Sequence, residues 1–352
     1  MKSATFVMAG GGTGGHVIPA LAVARELRAR GHAVRFIGTR RGLESKLVPA
    51  QDFPLEFIEI GGLKSVGVRR TVATLGELPW SVWQAARMLD RSDAAAVFSM
   101  GGYVAGPVLL AALWKRLPVV VMEPNAMPGF THRKLARFVS RALISFEETA
   151  RWFPKGRTEI TGLPVREEFF GLKPKARSDL ITVLITGGSQ GSRTLNRAAE
   201  GMWPLLAGAR IRLIHQTGLA AYEEIAGRFR AAKVNGEIAA FIPDMAGAFG
   251  RADLVVSRAG AGTVSELAAA GKPSILVPLP TASDQHQLRN AEAFERAGAA
   301  RLLADSDTSG ERLVSEITKM RGELEPMSAA ARGLAHSGAA ARAAEVMESF
   351  IP

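Results

Sequence analysis

His16 closes the run Gly10-Gly11-Gly12-Thr13-Gly14-Gly15 and opens the apolar stretch behind it. A histidine at a helix start faces the positive end of the helix dipole. That disfavours its cation and suits the neutral ring to proton abstraction near pH 7. The alternative is that His16 only hydrogen-bonds its own loop. Glu266 ends a second such run, Ser257-Arg258-Ala259-Gly260-Ala261-Gly262-Thr263-Val264-Ser265, and is expected in the first turn of a helix. There it can accept two hydrogen bonds from a ribose diol, or merely complement the helix N-terminus. Gly101-Gly102 with Gly106-Pro107, and Gly187-Gly188-Ser189-Gln190-Gly191-Ser192, complete a set of four loops. Glycines between a strand and a helix let backbone N–H groups approach phosphate closely. One such loop is often only a tight turn. Four, at matching places in two halves, point to a phosphorylated ligand.

The elements that must position these loops repeat. Thr5–Ala9 reads as a strand, followed by the first loop, a helix ending near Gly31, and the strand Ala33–Gly38. In the second half, Leu180–Thr186, the third loop, a helix over Thr194–Leu206 and the strand Ile211–Gln216 follow the same order. Val97–Met100 and Val255–Ser257 each lead into a further glycine loop and helix, then into strands Val119–Met122 and Ser274–Val277. The fold class is therefore α/β, two Rossmann-like doubly wound parallel-sheet domains with a cleft between them. The first is expected over 1–163, joined by a C-terminal helix at about 338–352. The second is expected over 164–337, and 161–175, rich in proline and charge, reads as the linker.

At 352 residues, 47% hydrophobic and 22% charged, the chain suits two folded domains rather than disorder. It has no cysteine, which removes disulfides and thiolate metal sites. The opening residues do not read as a signal peptide. The uncharged stretch 94–114 is broken by Gly101, Gly102, Gly106 and Pro107, and reads as strand, loop and helix rather than a membrane span. The net charge of +11 is lopsided: residues 1–163 carry +10 and residues 164–352 carry +1. A one-sided basic field suits an anionic ligand or surface on that side; an arginine-rich proteome would spread its charge over both halves.

Two nucleotide-binding classes fail on missing residues. A dinucleotide fold needs an acid closing the second strand, and Gly38-Thr39-Arg40-Arg41 and Gln216-Thr217-Gly218 offer none. A P-loop needs a lysine that no loop has. Nothing calls for a cofactor or nucleic acid. The one Asp-x-Asp, Asp305-Ser306-Asp307, reads as a surface turn rather than a metal site.

The segments GGGTGGHVIPALAVA, GGYVAGP, GGSQGSRTLN, FIPDMA and SRAGAGTVSELAAAGKP, in this order from Gly10 to Gln287, together resemble the bacterial N-acetylglucosaminyltransferase family of peptidoglycan synthesis, the MurG family. The resemblance implies the GT-B fold and an inverting transfer of GlcNAc from UDP-GlcNAc to the C4 hydroxyl of the muramoyl sugar in undecaprenyl-pyrophosphoryl-MurNAc-pentapeptide (lipid I), giving lipid II. It makes Glu266 the ribose carboxylate, on the loop of Ala261, Gly262 and Thr263. Ser189 becomes a donor-phosphate contact and Arg166 a donor-contacting arginine. Ile242 reads the uracil edge through its backbone, and Gln287 meets the GlcNAc hydroxyls. Thr13, Gly14, Gly15 and Asn125 close over donor and acceptor. Two motifs depart from the family: Met122-Glu123-Pro124-Asn125 stands for His-Glu-Gln-Asn, and Leu163-Pro164-Val165-Arg166 for Asn-Pro-Val-Arg, which puts the neighbours of Asn125 and Arg166 in doubt.

For such a transfer His16 is the candidate base, with His286 a weaker rival and more a donor contact. Glu123 is a second catalytic carboxylate or else orders its loop. The charge of the departing UDP is met by loop N–H groups, helix N-termini and Arg166 without metal. A lipid acceptor implies peripheral binding at the cytoplasmic face of the inner membrane, where cell-wall synthesis and division proteins are the partners to expect. Residues 62–88 fit an anionic membrane surface: Leu63, Val66, Val68, Val72, Leu75, Trp80, Val82 and Trp83 alternate with Lys64, Arg69, Arg70 and Arg87, and Trp114-Lys115-Arg116 can join them. The competing reading puts Trp80 and Trp83 in a helix's core face. Rival functions are a diacylglycerol-type GT-B transferase, a UDP-GlcNAc 2-epimerase, and a non-catalytic UDP-sugar-binding subunit.

Overall fold

The structure, a computed structural model, describes residues 3–60, 67–175 and 178–351, and of 67–75 the backbone only. The chain forms two compact units, Met1–Pro164 with Gly338–Pro352, and Val165–Ser337.

The first unit is built on a seven-stranded sheet. Its strands are β1 (Thr5–Gly10), β2 (Ala33–Gly38), β3 (Leu55–Phe57), β4 (Ala94–Gly101), β5 (Val119–Glu123), β6 (Arg141–Ile144) and β7 (Thr158–Ile160). They lie in the order β3-β2-β1-β4-β5-β6-β7, with every pairing parallel. The second unit has β8 (Ile181–Thr186), β9 (Ile211–Gln216), β10 (Gly236–Ala239), β11 (Leu254–Ser257), β12 (Ser274–Leu276) and β13 (Ala300–Leu302), ordered β10-β9-β8-β11-β12-β13 and again all parallel. β5, β8 and β11 are buried throughout. Helices cover both faces of such sheets, so their strands read as continuous apolar runs. The expected α/β class with two doubly wound parallel sheets is what the chain adopts.

This order places the glycine loops. In each sheet the strand order reverses between two central strands, β1 and β4 in one, β8 and β11 in the other. All four loops leave the carboxyl ends of those four strands. Crevices at such reversal points are where open α/β sheets bind ligands.

The helices differ from the sequence expectation in detail. The helix after the third loop runs Arg193–Met202 and stops because Trp203-Pro204 follows; proline cannot donate to the helix ladder. Residues 94–114 form β4 and the helix Ala105–Trp114. Among the described residues no helix is long and apolar enough to cross a membrane. The C-terminal helix Ala339–Glu348 belongs to the first unit, where Glu348 accepts from Arg30 at 2.8 Å and His32 at 2.9 Å.

Candidate active site

The first loop begins where β1 ends. Thr13 takes an extended conformation and starts the helix Gly14–Ala29. His16 is half-buried, with Nδ1 at 3.3 Å from both the Gly11 carbonyl and Thr13 Oγ1. Gly101 and Gly102, at the end of β4, both have left-handed backbones (φ +85° and +84°). A Cβ on Gly102 would lie 3.0 Å from the Gly11 oxygen and 3.4 Å from His16 Nδ1, so the two loops are packed together.

Beneath the first loop lies a residue that the sequence reading passed over. Glu44 is fully buried. It accepts from Gly12 N–H at 2.8 Å, and from Thr39 N–H and Thr39 Oγ1 at 2.9 Å each. No strand-end acid precedes it, yet a carboxylate six positions after β2 folds back under the loop. Its needs are met by protein donors. No motif marks this, because the contact depends on how the short helix Glu44–Leu47 turns back.

Glu123 ends β5 and is also buried. Its Oε1 accepts from the backbone and side-chain amides of Asn125 at 3.1 Å each; its Oε2 accepts from Gly129 N–H at 3.0 Å and His132 Nδ1–H at 2.9 Å. Burial alone would push this carboxyl up. The hydrogen bond and charge of His132, with Gly129 and Asn125, outweigh it and hold the group below the usual carboxylate range. His132 Nε2 lies 3.3 Å from Ser99 Oγ, which accepts from Gly101 N–H. Ser99, His132 and Glu123 resemble a hydrolytic triad in geometry, but all three are enclosed and tie β4 and β5 together. Of the two alternatives for Glu123, loop ordering matches this geometry.

In the second unit the glycines of the third loop divide. A Cβ on Gly187 would strike Ser192 N at 2.4 Å and one on Gly191 the Thr217 oxygen at 2.0 Å, whereas Gly188 meets nothing within 4 Å. Ser192 caps the following helix by accepting from Leu195 N–H. Ser189 is exposed beside the open Gly188. Gln216 bridges this loop to the next segment: its amide donates to Gly188 O at 2.9 Å, and its oxygen accepts from Ile242 N–H at 2.8 Å. Of the Ile242 backbone, which the resemblance makes the reader of the uracil edge, the N–H is engaged by Gln216.

The fourth loop corrects one placement. Gly260 is the N-cap and the helix runs Ala261–Ala270, so Glu266 is its sixth residue and stands in the second turn, not the first. Dipole stabilisation fades beyond the first turn, which weakens the capping explanation. The Glu266 side chain is 30% exposed, and its ion partner is Arg166 at 3.9 Å. Burial pushes its carboxyl up to about 7, with Arg166 opposing and Glu168 adding. Arg166 also pairs with Glu168 at 2.9 Å and covers the Phe169 ring. Gly260 and Gly262 have nothing within 4 Å of an added Cβ.

Two further segments close around the fourth loop. Gln287, in the helix His286–Arg296, accepts from Leu279 N–H at 3.0 Å. It follows two left-handed non-glycine residues, Asp284 and Gln285, a conformation that costs energy and clusters at functional turns. Asp305-Ser306-Asp307 forms a short surface turn, and Asp305 pairs there with Arg258, which also donates to the carbonyls of Val277 and Pro278, and accepts from Thr194.

On the first unit's surface, Trp80 and Trp83 are 52% and 40% exposed and stacked with centroids 4.6 Å apart, while Arg87 lies over Trp83. Ser81, Ala85 and Leu89 take the core face instead. The core reading of the tryptophans is thereby excluded. Trp114 is also exposed, beneath Lys115. Leu63, Lys64 and Val66 lie outside the described residues, as do the side chains of Val68, Arg69, Arg70, Val72 and Leu75.

The comparisons with known proteins agree with this architecture. Residues 6–144 match the glycosyltransferase family 28 N-terminal domain and residues 182–347 its C-terminal domain. A UDP-N-acetylglucosamine–N-acetylmuramyl-(pentapeptide) pyrophosphoryl-undecaprenol N-acetylglucosamine transferase of Solibacter usitatus is 60% identical over 98% of this chain and 96% of its own length. One from Halorhodospira halophila is 43% identical over 99% of both chains. The crystal structure of Acinetobacter baumannii MurG superposes with a TM-score of 0.82 at 32% identity, covering 98% of this chain and 99% of that one. The chain therefore belongs to glycosyltransferase family 28 and, within it, to the UDP-N-acetylglucosamine–N-acetylmuramyl-(pentapeptide) pyrophosphoryl-undecaprenol N-acetylglucosamine transferases.

Proposed function

We propose that the chain transfers GlcNAc from UDP-GlcNAc to the C4 hydroxyl of the muramoyl sugar of lipid I, inverting the anomeric centre and releasing UDP. The observation that carries the donor assignment is Glu266, a carboxylate at an open glycine loop whose burial is not matched by hydrogen-bond donors among the described residues. A ribose diol supplies the two O–H donors it lacks. Ser189 and the N–H groups around Gly188 and Ala261–Thr263 face the diphosphate, and Arg166 adds positive charge. The Ile242 carbonyl accepts the uracil N3–H, and a uracil oxygen displaces Gln216 from the Ile242 N–H. Gln287 spends its oxygen on Leu279 and turns its amide to the sugar hydroxyls.

The first unit takes the acceptor. A carbonyl only accepts, so the contact to Gly11 puts the proton of a neutral His16 on Nδ1 and its lone pair on Nε2. Nε2 removes the C4 hydroxyl proton as that oxygen bonds to the anomeric carbon. The bond from that carbon to the β-phosphate oxygen breaks, and UDP leaves with the electron pair. Thr13, Gly14 and Gly15 line the approach, and Glu123 fixes Asn125 rather than transferring a proton. The stacked, arginine-flanked tryptophans bind the anionic surface that carries the acceptor, making the enzyme peripheral at the cytoplasmic face.

An assay with a short-chain lipid I analogue and a panel of UDP-GlcNAc, UDP-glucose and UDP-galactose tests the reading. Disaccharide product from UDP-GlcNAc alone is expected. Efficient transfer to diacylglycerol, or conversion of UDP-GlcNAc without an acceptor, would replace it. Binding to anionic vesicles should fall as salt rises, and fall again in Trp80→Ala/Trp83→Ala; salt-independent binding rejects the electrostatic part.

A further inference from the structure

We propose that Glu44 is a positioning residue for the transfer: it grips the Gly11–Gly12 peptide from beneath and thereby sets the tautomer and basicity of His16. The inference rests on the reading of His16 as the base.

The N–H that Glu44 Oε2 holds at 2.8 Å belongs to Gly12, and the carbonyl 3.3 Å from His16 Nδ1 belongs to Gly11. These are the two ends of one peptide group. In a planar trans peptide they point in opposite directions. Fixing the N–H towards Glu44 therefore fixes the C=O away from it, towards the ring. A carboxylate accepting from the N–H also polarises the peptide and strengthens its carbonyl as an acceptor. The result is a relay in which one peptide stands between the carboxylate and the imidazole, where a hydrolytic triad has direct contact.

Three glycines make room for this group. A Cβ would come within 2.4 Å of Glu44 Oε1 at Gly11, 2.6 Å of its Cγ at Gly38 and 1.9 Å of Oε2 at Gly42. None of the three has a positive φ, so space rather than backbone conformation demands glycine there. The grip is braced on its far side as well. Thr39 gives its backbone N–H and its hydroxyl hydrogen to Oε1, and the Tyr103 hydroxyl lies 3.0 Å from Thr39 Oγ1. The Tyr103 ring sits 3.1 Å from where a Gly12 Cβ would be.

Glu44→Gln in the full-length enzyme tests the relay, since an amide serving Thr39 through its oxygen turns an N–H against the Gly12 N–H. The expected result is a fall in kcat of about tenfold to a hundredfold, the range for a group acting through a catalytic one. KM for UDP-GlcNAc and UDP affinity should stay within about twofold, because the donor contacts proposed for Ser189, Ile242, Glu266 and Gln287 do not involve this peptide. Nitrogen-15 NMR of His16 should show the Nδ1–H tautomer losing population, and the acid limb of kcat/KM should move to lower pH. In a His16→Ala background the same substitution should cost no further turnover. An equal loss in both backgrounds, or an unchanged His16 spectrum, overturns the proposal. Near-normal turnover of His16→Ala alone would instead remove the base reading and leave the tautomer as the test of the grip. Should Glu44→Gln not fold, Thr39→Val strips one donor from the carboxylate and must move the tautomer the same way to a smaller extent.

Discussion

Glu44 and Glu266 stand beside glycine loops at equivalent reversal points of two similar sheets, yet their surroundings are opposite. Glu44 is enclosed and accepts three hydrogen bonds, one from the loop itself. Glu266 faces Arg166 at 3.9 Å, and its burial raises its pKa to about 7. The glycines sort the same way: those at 11, 38 and 42 clear space for a protein carboxylate, whereas 188, 260 and 262 border open space. A carboxylate whose acceptor sites are filled builds the loop. One left short of donors is set for a ligand that brings them. This contrast is what the proposed division, catalytic geometry in the first unit and donor binding in the second, would require.

The sharpest way to break the contrast is to remove the group each loop presents. His16→Ala should lower kcat by about 10²- to 10⁴-fold while UDP affinity, measured by titration calorimetry, stays unchanged. A matching loss of UDP affinity would erase the division of labour. Glu266→Gln should do the reverse, weakening UDP by about tenfold to a hundredfold, as expected for hydrogen bonds to a charged acceptor. If, as proposed, the ribose diol donates to the ionised carboxylate, wild-type affinity should fall as pH drops from 8 to 6, through the pKa near 7. Uridine, which has no phosphate to titrate in this range, isolates the effect. A pH-independent affinity for uridine would detach Glu266 from the ribose.

Much of this was legible in residue order. The β-rich runs, the loops and their repetition across two halves give both sheets, and the motifs from Gly10 to Gln287 carry the family. Glycine identity alone does not say what the missing side chain makes room for. Gly11 and Gly262 look alike in sequence, and only the fold shows one against a carboxylate and the other against nothing. The start of the helix Ala261–Ala270 was misjudged because Gly260, an N-cap without a side chain, gives none of the usual signal of serine, threonine or aspartate. That error moved Glu266 one turn. The contact of Gln216 to Ile242 joins segments separated by whole elements, that of His132 to Glu123 spans the loop between a strand and the next helix, and no local pattern announces either. Trp80 and Trp83 follow Pro79, and spacing alone left their face of the helix open.

The glycine contrast has its own test. Gly11→Ala places a methyl 2.4 Å from Glu44 Oε1 in a packed interior, and should destabilise the fold by about 1–3 kcal/mol in urea unfolding. Gly262→Ala meets no neighbour and lies within a helix, so it should stabilise by about 0.5–1 kcal/mol while weakening UDP several-fold. Equal stability changes in the two variants would show that the loops are not distinguished by what fills them.

The smallest effect concerns stability without ligand. Glu266 has a folded-state pKa near 7, above its value of about 4.3 in an unfolded chain. The folded protein thus holds this proton more tightly than the unfolded one. The resulting stability is complete below the unfolded pKa, declines as pH rises through the interval, and is gone above about 7, where a half-buried charge lacks donors among the described residues. Glutamine stays neutral throughout. Glu266→Gln should therefore raise the melting temperature relative to wild type more at pH 8.5 than at pH 5, and saturating UDP should shrink that advantage by giving the wild-type carboxylate its donors. The same substitution at position 44 should lower stability at both pH values, since there the carboxylate's donors come from the protein. An equal pH response at the two positions would mean that Glu266 is as well satisfied by the fold as Glu44, and the carboxylate contrast would no longer separate a binding loop from a built one.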